Sequence, residues 1–149
     1  LGVALSYAGI GYSLFAIAMT CGRFIGDRLV RVSGGPAVLR LGSVSAAAGF
    51  ALAVAVPLPA AGFAGCVLIG LGASNIVPVL FTEAGNQSVM PMPLAIAAIS
   101  LFGYSGVLAG PALIGFLAHA TTLDTAFAVL GLLVLTPALA AGVIFSRRS

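Results

Sequence analysis

The chemistry-bearing residues of this chain are few, and they fall into two groups. The first is the run Gly22-Arg23-Phe24-Ile25-Gly26-Asp27-Arg28-Leu29-Val30-Arg31. Arg23 and Asp27 stand four residues apart, as do Asp27 and Arg31. At that spacing side chains of opposite charge meet on one helix face. An acid held among several Arg residues at a helix end can pair with a neighbouring helix and lose that pairing when the helices separate. Gly22 and Gly26 form a G-x-x-x-G pair that lets such a neighbour come close. The second group is polar residues embedded in apolar sequence. Ser6, Ser13 and Thr20 recur every seven residues on one helix face with Tyr12 beside them, Ser74 and Asn75 precede Pro78, and Ser100 and Tyr104 are an i, i+4 pair. Polar groups are costly in hydrocarbon, so they face a bundle interior or a wet cavity. There they either bind helices to one another or touch a solute. Tyr12, Ser13, Asn75, Ser100 and Tyr104 are the candidates for solute contact. Pro78 has no N–H to donate, which frees carbonyls near Asn75.

Neither group makes a catalytic constellation, which would need a His cluster or paired carboxylates at one depth. The one His, His119, falls in a polar turn, and Asp27 and Glu83 fall in different loops, so no enzyme is expected. Cys21 and Cys66 both lie in apolar runs and there is no C-x-x-C, so they are buried thiols rather than a disulfide framework or a metal site. No cofactor or metal is expected.

The elements that must position these residues follow from composition. Of 149 residues, 61% are hydrophobic and 6% charged, with a mean hydropathy of +1.24. A soluble domain carries about 25% charged residues to hydrate its surface. A lipid-facing fold has no such need. A spanning helix takes about 20 mostly apolar residues, since the hydrocarbon core is about 30 Å thick and each residue rises about 1.5 Å. Five runs qualify, at about 1–24, 36–56, 60–81, 94–117 and 125–145. Glu83 to Pro93 is the polar loop after the third, and His119 to Asp124 the turn after the fourth. The runs are continuous rather than alternating, which excludes barrel strands. The fold class is therefore all-α, a polytopic transmembrane helix bundle, with the lipid bilayer as its first partner.

Every basic residue is an Arg. Arg28, Arg31 and Arg40 flank the first loop, and Arg147 and Arg148 end the chain. With five spans both regions lie on one side, and the positive-inside rule makes that side, with the C-terminus, cytoplasmic in a plasma (inner) membrane. Arg at span ends is not the clustered basic face of a nucleic-acid binder. Small residues supply the contact faces: Gly22 and Gly26, Gly106 and Gly110, and the stripe Gly42, Ala46, Gly49, Ala53. The chain begins without Met in apolar sequence on the outer side, from which an N-terminal truncation is expected.

The stretch G-R-F-I-G-D-R at 22–28 resembles the signature loop of the major facilitator superfamily, found between the second and third helices of each six-helix half. Asn75-Ile76-Val77-Pro78-Val79-Leu80-Phe81 is similar to the tenth helix of its sugar-permease-like members, relatives of the fucose permease, and the stretch from Gly103 to Phe116 to their eleventh. This resemblance implies a twelve-helix fold of which the chain is the back half, helices eight to twelve, with the N-terminal half of the same transporter as its missing partner. It implies secondary transport of a small solute by alternating access about a midplane site, possible coupling to a proton, and a cavity lined by the eighth, tenth and eleventh helices. It makes Gly22, Arg23, Gly26, Asp27, Arg28 and Arg31 a conformational charge motif. The family's fullest signature ends in Gly and basic residues, whereas Arg31 here is followed by Val32-Ser33-Gly34-Gly35.

A sugar or polar metabolite is the preferred solute. The alternatives are a drug or metabolite efflux transporter, whose cavity would be more apolar, and a small membrane subunit that transports nothing, which would need no signature loop. Residues 1–149 in liposomes should show no saturable solute flux, because half of the expected site is absent. Saturable flux by the chain alone would contradict the half-bundle reading.

Overall fold

The apolar runs wind into helices because every backbone polar group must be satisfied internally where no water reaches it. A computed structural model of the chain describes residues 5–146, with side chains for 9–142. Arg147 and Arg148 lie outside the described residues, as does the side chain of Ser6. The elements are α1 (Leu5–Ser33), α2 (Gly35–Ala55), α3 (Pro59–Ala73), α4 (Ile76–Asn86), α5 (Met92–Ala120), α6 (Leu123–Leu133) and α7 (Thr136–Ser146). No strand occurs among the described residues. Five stretches are long and apolar enough to cross a membrane: Gly9–Ser33, Gly35–Ala55, Pro59–Asn86, Met92–Ala120 and Leu123–Gly142.

The helices depart from the expected spans in three ways. The first run was expected to stop near residue 24, but α1 continues to Ser33 and carries the whole charge motif in its last turns. Its 29 residues reach about 43 Å, well past a hydrocarbon core of about 30 Å. Apolar length measures lipid depth, and a helix need not end where lipid does. Likewise Glu83 to Asn86 belong to α4 and not to the following loop.

The third and fifth spans are also each broken once, at 74–75 and at 134–135. Proline explains both breaks. Pro78 has no N–H for the Ser74 carbonyl and its ring crowds that oxygen, and Pro137 does the same to Leu133. The Thr136 hydroxyl donates to the freed Leu133 carbonyl at 2.7 Å. Pro111, by contrast, sits inside α5 without ending it.

Two compact units form. In the first, α1 to α3 pack on one another, α7 packs on α2, and α6 from Phe127 onward joins them. A single residue, Gly34, links α1 to α2; its φ of +79° is a left-handed value that glycine adopts without strain. Antiparallel α2 and α3 meet through glycine. A Cβ on Gly42 would stand 2.6 Å from the Gly72 carbonyl oxygen, and one on Gly49 2.6 Å from that of Gly65. On α3's other side Gly70 faces Ala18 of α1, where an added Cβ would lie 3.1 Å from the alanine methyl. The rings of Phe50 and Phe127 meet tilted at 45° with centroids 6.1 Å apart, and Leu39, Ala46 and Ala141 are fully buried.

The second unit holds α4 from Val77, α5 and the chain up to Ala126. Gln87 organises the loop between its helices. Its Oε1 accepts from Val89 N–H at 2.7 Å and Met90 N–H at 3.0 Å, and its Nε2 donates to the Met90 carbonyl at 2.7 Å. The Thr122 hydroxyl caps α6 by accepting from Thr125 N–H at 3.1 Å. Gly106 and Gly110 have no atom within 4 Å of an added Cβ, so this pair lacks the helix partner expected for it among the described residues.

Gln87→Ala should speed amide exchange at Val89 and Met90 about tenfold, the effect of losing roughly 1.4 kcal/mol of loop stability. Exchange mass spectrometry of the peptide covering 87–91 checks this.

Candidate functional site

Both sequence motifs of the first unit meet at one place. α1 and α3 run parallel, in contact from Gly11 beside Cys66, through Ala18 beside Gly70, to Gly22 beside Ser74 and Gly26 beside Asn75. The glycine pair of the charge motif therefore packs on the break in the third span. The close approach needs glycine: a Cβ on Gly22 would fall 2.8 Å from the Ser74 Cβ, and one on Gly26 2.6 Å from the Asn75 Cγ.

Hydrogen bonds complete the seam. Asn75 Nδ2 donates to the Gly22 carbonyl at 2.9 Å and to Ser74 Oγ at 2.9 Å. Ser74, wholly buried, donates in turn to the Leu71 carbonyl at 2.6 Å. The Asn75 Oδ1 lies against Gly26, nearer than any other atom to the position of an added Cβ. Both ends of the half-buried amide are thus turned to α1. Beside them is a pocket of about 180 Å³, lined by Leu29, Val38, Gly42, Ser45, Gly72 and Asn75 among others. Ser45 ties α2 to α3, its hydroxyl donating to the Leu68 carbonyl at 3.2 Å.

The charged members of the motif point outward. Arg23, Asp27, Arg28 and Arg31 are all exposed, and no salt bridge joins them to one another among the described residues. Gly22 and Gly26 are buried on the opposite side, so the segment is a two-faced helix end: glycine inward, charge outward. Arg40 of α2 reaches α7 at Gly142, with Nη2 3.8 Å from where a Gly142 Cβ would be.

The other candidates stand elsewhere. Tyr12 is 72% exposed, its ring 6.4 Å from that of Phe15. Ser13 and Thr20 return their hydroxyls to their own helix, donating to the Gly9 and Ala16 carbonyls at 2.9 and 2.8 Å. Ser100, half-buried, and Tyr104, 71% exposed, are on α5 in the second unit. Gly65, Gly70 and Gly72 are buried contact residues beyond the expected small-residue faces, and their spacing along one helix is the signal that α3 carries contact faces on two sides.

The chain is 50% identical over 140 residues to an uncharacterised MFS-type transporter of Yersinia pestis, covering 94% of this chain and 36% of the relative. It is 35% identical over 117 residues to the membrane protein MosC of Rhizobium meliloti, covering 78% of this chain and 29% of the relative. A third relative, an uncharacterised transporter of Sinorhizobium fredii, is 36% identical over 131 residues, covering 88% of this chain and 35% of its own length. No protein-family model and no solved structure matches the chain. The chain belongs to the major facilitator superfamily and is a polytopic integral membrane protein. It spans about a third of the length of the curated relatives it matches.

Gly26→Ala should destabilise the protein by roughly 1–3 kcal/mol through overpacking. Asn75→Ala should restore most of that loss and Ser74→Ala should not, because the atoms nearest an added Gly26 Cβ all belong to Asn75. Thermal unfolding of six detergent-solubilised proteins, the unaltered one, the three single variants and the two doubles that contain Gly26→Ala, measures the two cycles.

Proposed function

We propose that the protein is a secondary active transporter that carries a small solute by alternating access, this chain supplying helices eight to twelve. The observation that carries the reading is the 50% identity, over 94% of the chain, to an MFS-type transporter. The chain covers about a third of each of these relatives, so the rest of a twelve-helix bundle would lie outside it. The glycine-faced, charge-tipped end of α1 adds to it, since a helix that must part from and rejoin its neighbours needs smooth contact and a polar end.

A sugar or other polar metabolite is the solute we favour, from the likeness of the 75–81 and 103–116 stretches to sugar-permease helices. Tyr12 and Tyr104, with Ser13 and Ser100, are the side chains proposed to touch it. Asn75 joins them only if its amide leaves Gly22. Asp27, Glu83 and Asp124 all lie within two turns of a helix end. A coupling proton at mid-membrane would therefore use an acid outside this chain. The Arg-bearing ends are proposed to face the cytoplasm.

The test is solute uptake by the intact transporter in proteoliposomes under an imposed ion gradient, with sugars and apolar drugs as the panel. Saturable, gradient-dependent uptake is expected, with Tyr104→Ala raising the half-saturation concentration about tenfold, the loss of one solute hydrogen bond worth roughly 1.4 kcal/mol. Asp27→Asn should lower the maximal rate at unchanged protein yield. Gradient-dependent uptake of the drugs alone would favour the efflux reading, and no flux of any member would contradict transport.

A further inference from the structure

We propose that Asn75 is a releasable latch, a positioning residue that holds α1 to α3 through the Gly22 carbonyl and lets go when the helices part. The purpose of the latch rests on the alternating-access reading above. Its existence does not, because it can be read without any solute.

Four observations carry it. First, the bond joins two helices and adds to the helix ladder without competing with it. The Gly22 carbonyl faces the Gly26 N–H within α1, and Asn75 Nδ2 takes the second lone pair from across the seam at 2.9 Å. Breaking the latch therefore leaves α1 intact. Second, Asn75 stands at the break of the third span, where Pro78 leaves the adjacent Ser74 carbonyl without its i→i−4 donor. Third, the surface it grips is smooth. Gly22 and Gly26 offer backbone only, with no side chain to interlock, and Oδ1 rests on the Gly26 Cα. Fourth, the released amide has somewhere to go: Asn75 forms part of the wall of the 180 Å³ pocket, which Ser45 also lines.

The relay from the Leu71 carbonyl through Ser74 Oγ–H and Asn75 Nδ2–H to the Gly22 carbonyl explains why an asparagine is used and not a serine. One amide nitrogen has two hydrogens, and here one satisfies each helix. A polar bond between membrane helices shifts an equilibrium roughly threefold on average and about twentyfold at most. That is strong enough to set a preferred state and weak enough to release.

The protein carries its own reporters. Cys66 is half-buried with its Sγ against Gly11 in the α1–α3 seam, whereas Cys21, expected from its apolar run to be buried, is exposed on α1. The intact protein in membranes is treated with N-ethylmaleimide and the two thiols are followed by peptide mass spectrometry. Asn75→Leu keeps the branched outline of the side chain and removes the donor; Asn75→Asp keeps the shape and size and removes the amide donor. In both, Cys66 should react about threefold to twentyfold faster than in the unaltered protein while the Cys21 rate stays the same. Cys66 rates equal to those of the unaltered protein would make Asn75 a passive filler and overturn the latch. Aggregation of both variants would make the bond a fixed folding contact and overturn it equally. Absence of solute flux with faster Cys66 labelling would remove the transport reading and leave the latch standing.

Discussion

Membrane helices must hold together without a hydrophobic force between them, since lipid tails are as apolar as leucine. What remains is dispersion, which falls away within a fraction of an ångström of gap, and a few polar bonds. The helices of the first unit obey that constraint through glycine. Gly42 on Gly72 and Gly49 on Gly65 bring the α2 and α3 backbones into contact, and Gly70 does so between α3 and α1, where Gly22 makes room for the Ser74 side chain. The polar bonds follow from the approach: only backbones this close let Ser45 reach the Leu68 carbonyl and Asn75 reach that of Gly22.

The same contact explains how the charge motif can be polar and still belong to a membrane helix. Its glycines are spent inward, on Ser74 and Asn75, and its Arg and Asp side chains are turned outward. α1 is longer than the hydrocarbon is thick, so that outward face emerges at the headgroups, where charge is solvated. Proline supplies the complementary feature. By breaking the third span beside the glycine pair, Pro78 places a buried serine and a half-buried asparagine where a continuous apolar helix would put two hydrophobic side chains.

Much of this was legible in the residues. Five apolar runs announced five spans, and the identity to an MFS-type transporter agrees with the family that the G-R-F-I-G-D-R stretch suggested. Pro78 marked the break near Asn75. The end of α1 was misplaced because hydropathy senses lipid and not helicity. Gly22–Gly26 and Gly106–Gly110 are the same pattern, yet one packs tightly and the other meets nothing among the described residues. A pattern names a face that can be approached, and only the three-dimensional arrangement names what approaches it. Asn75 was legible as a polar residue at depth. Its partner, a backbone carbonyl 53 residues away in sequence, has no signature of its own.

The packing of the first unit depends most directly on which glycines cannot bear a methyl group. Gly42, Gly49, Gly65 and Gly72 would each press a Cβ on a facing backbone, whereas Gly62 has nothing within 4 Å. The decisive measurement is the thermal unfolding midpoint of the five single Gly→Ala proteins in one detergent. The four seam variants should each lose stability by roughly 1–3 kcal/mol, and Gly62→Ala should be unchanged or slightly more stable. Seam variants that unfold with the unaltered protein, or a Gly62→Ala protein that falls as far as they do, would contradict glycine contact as the organising interaction.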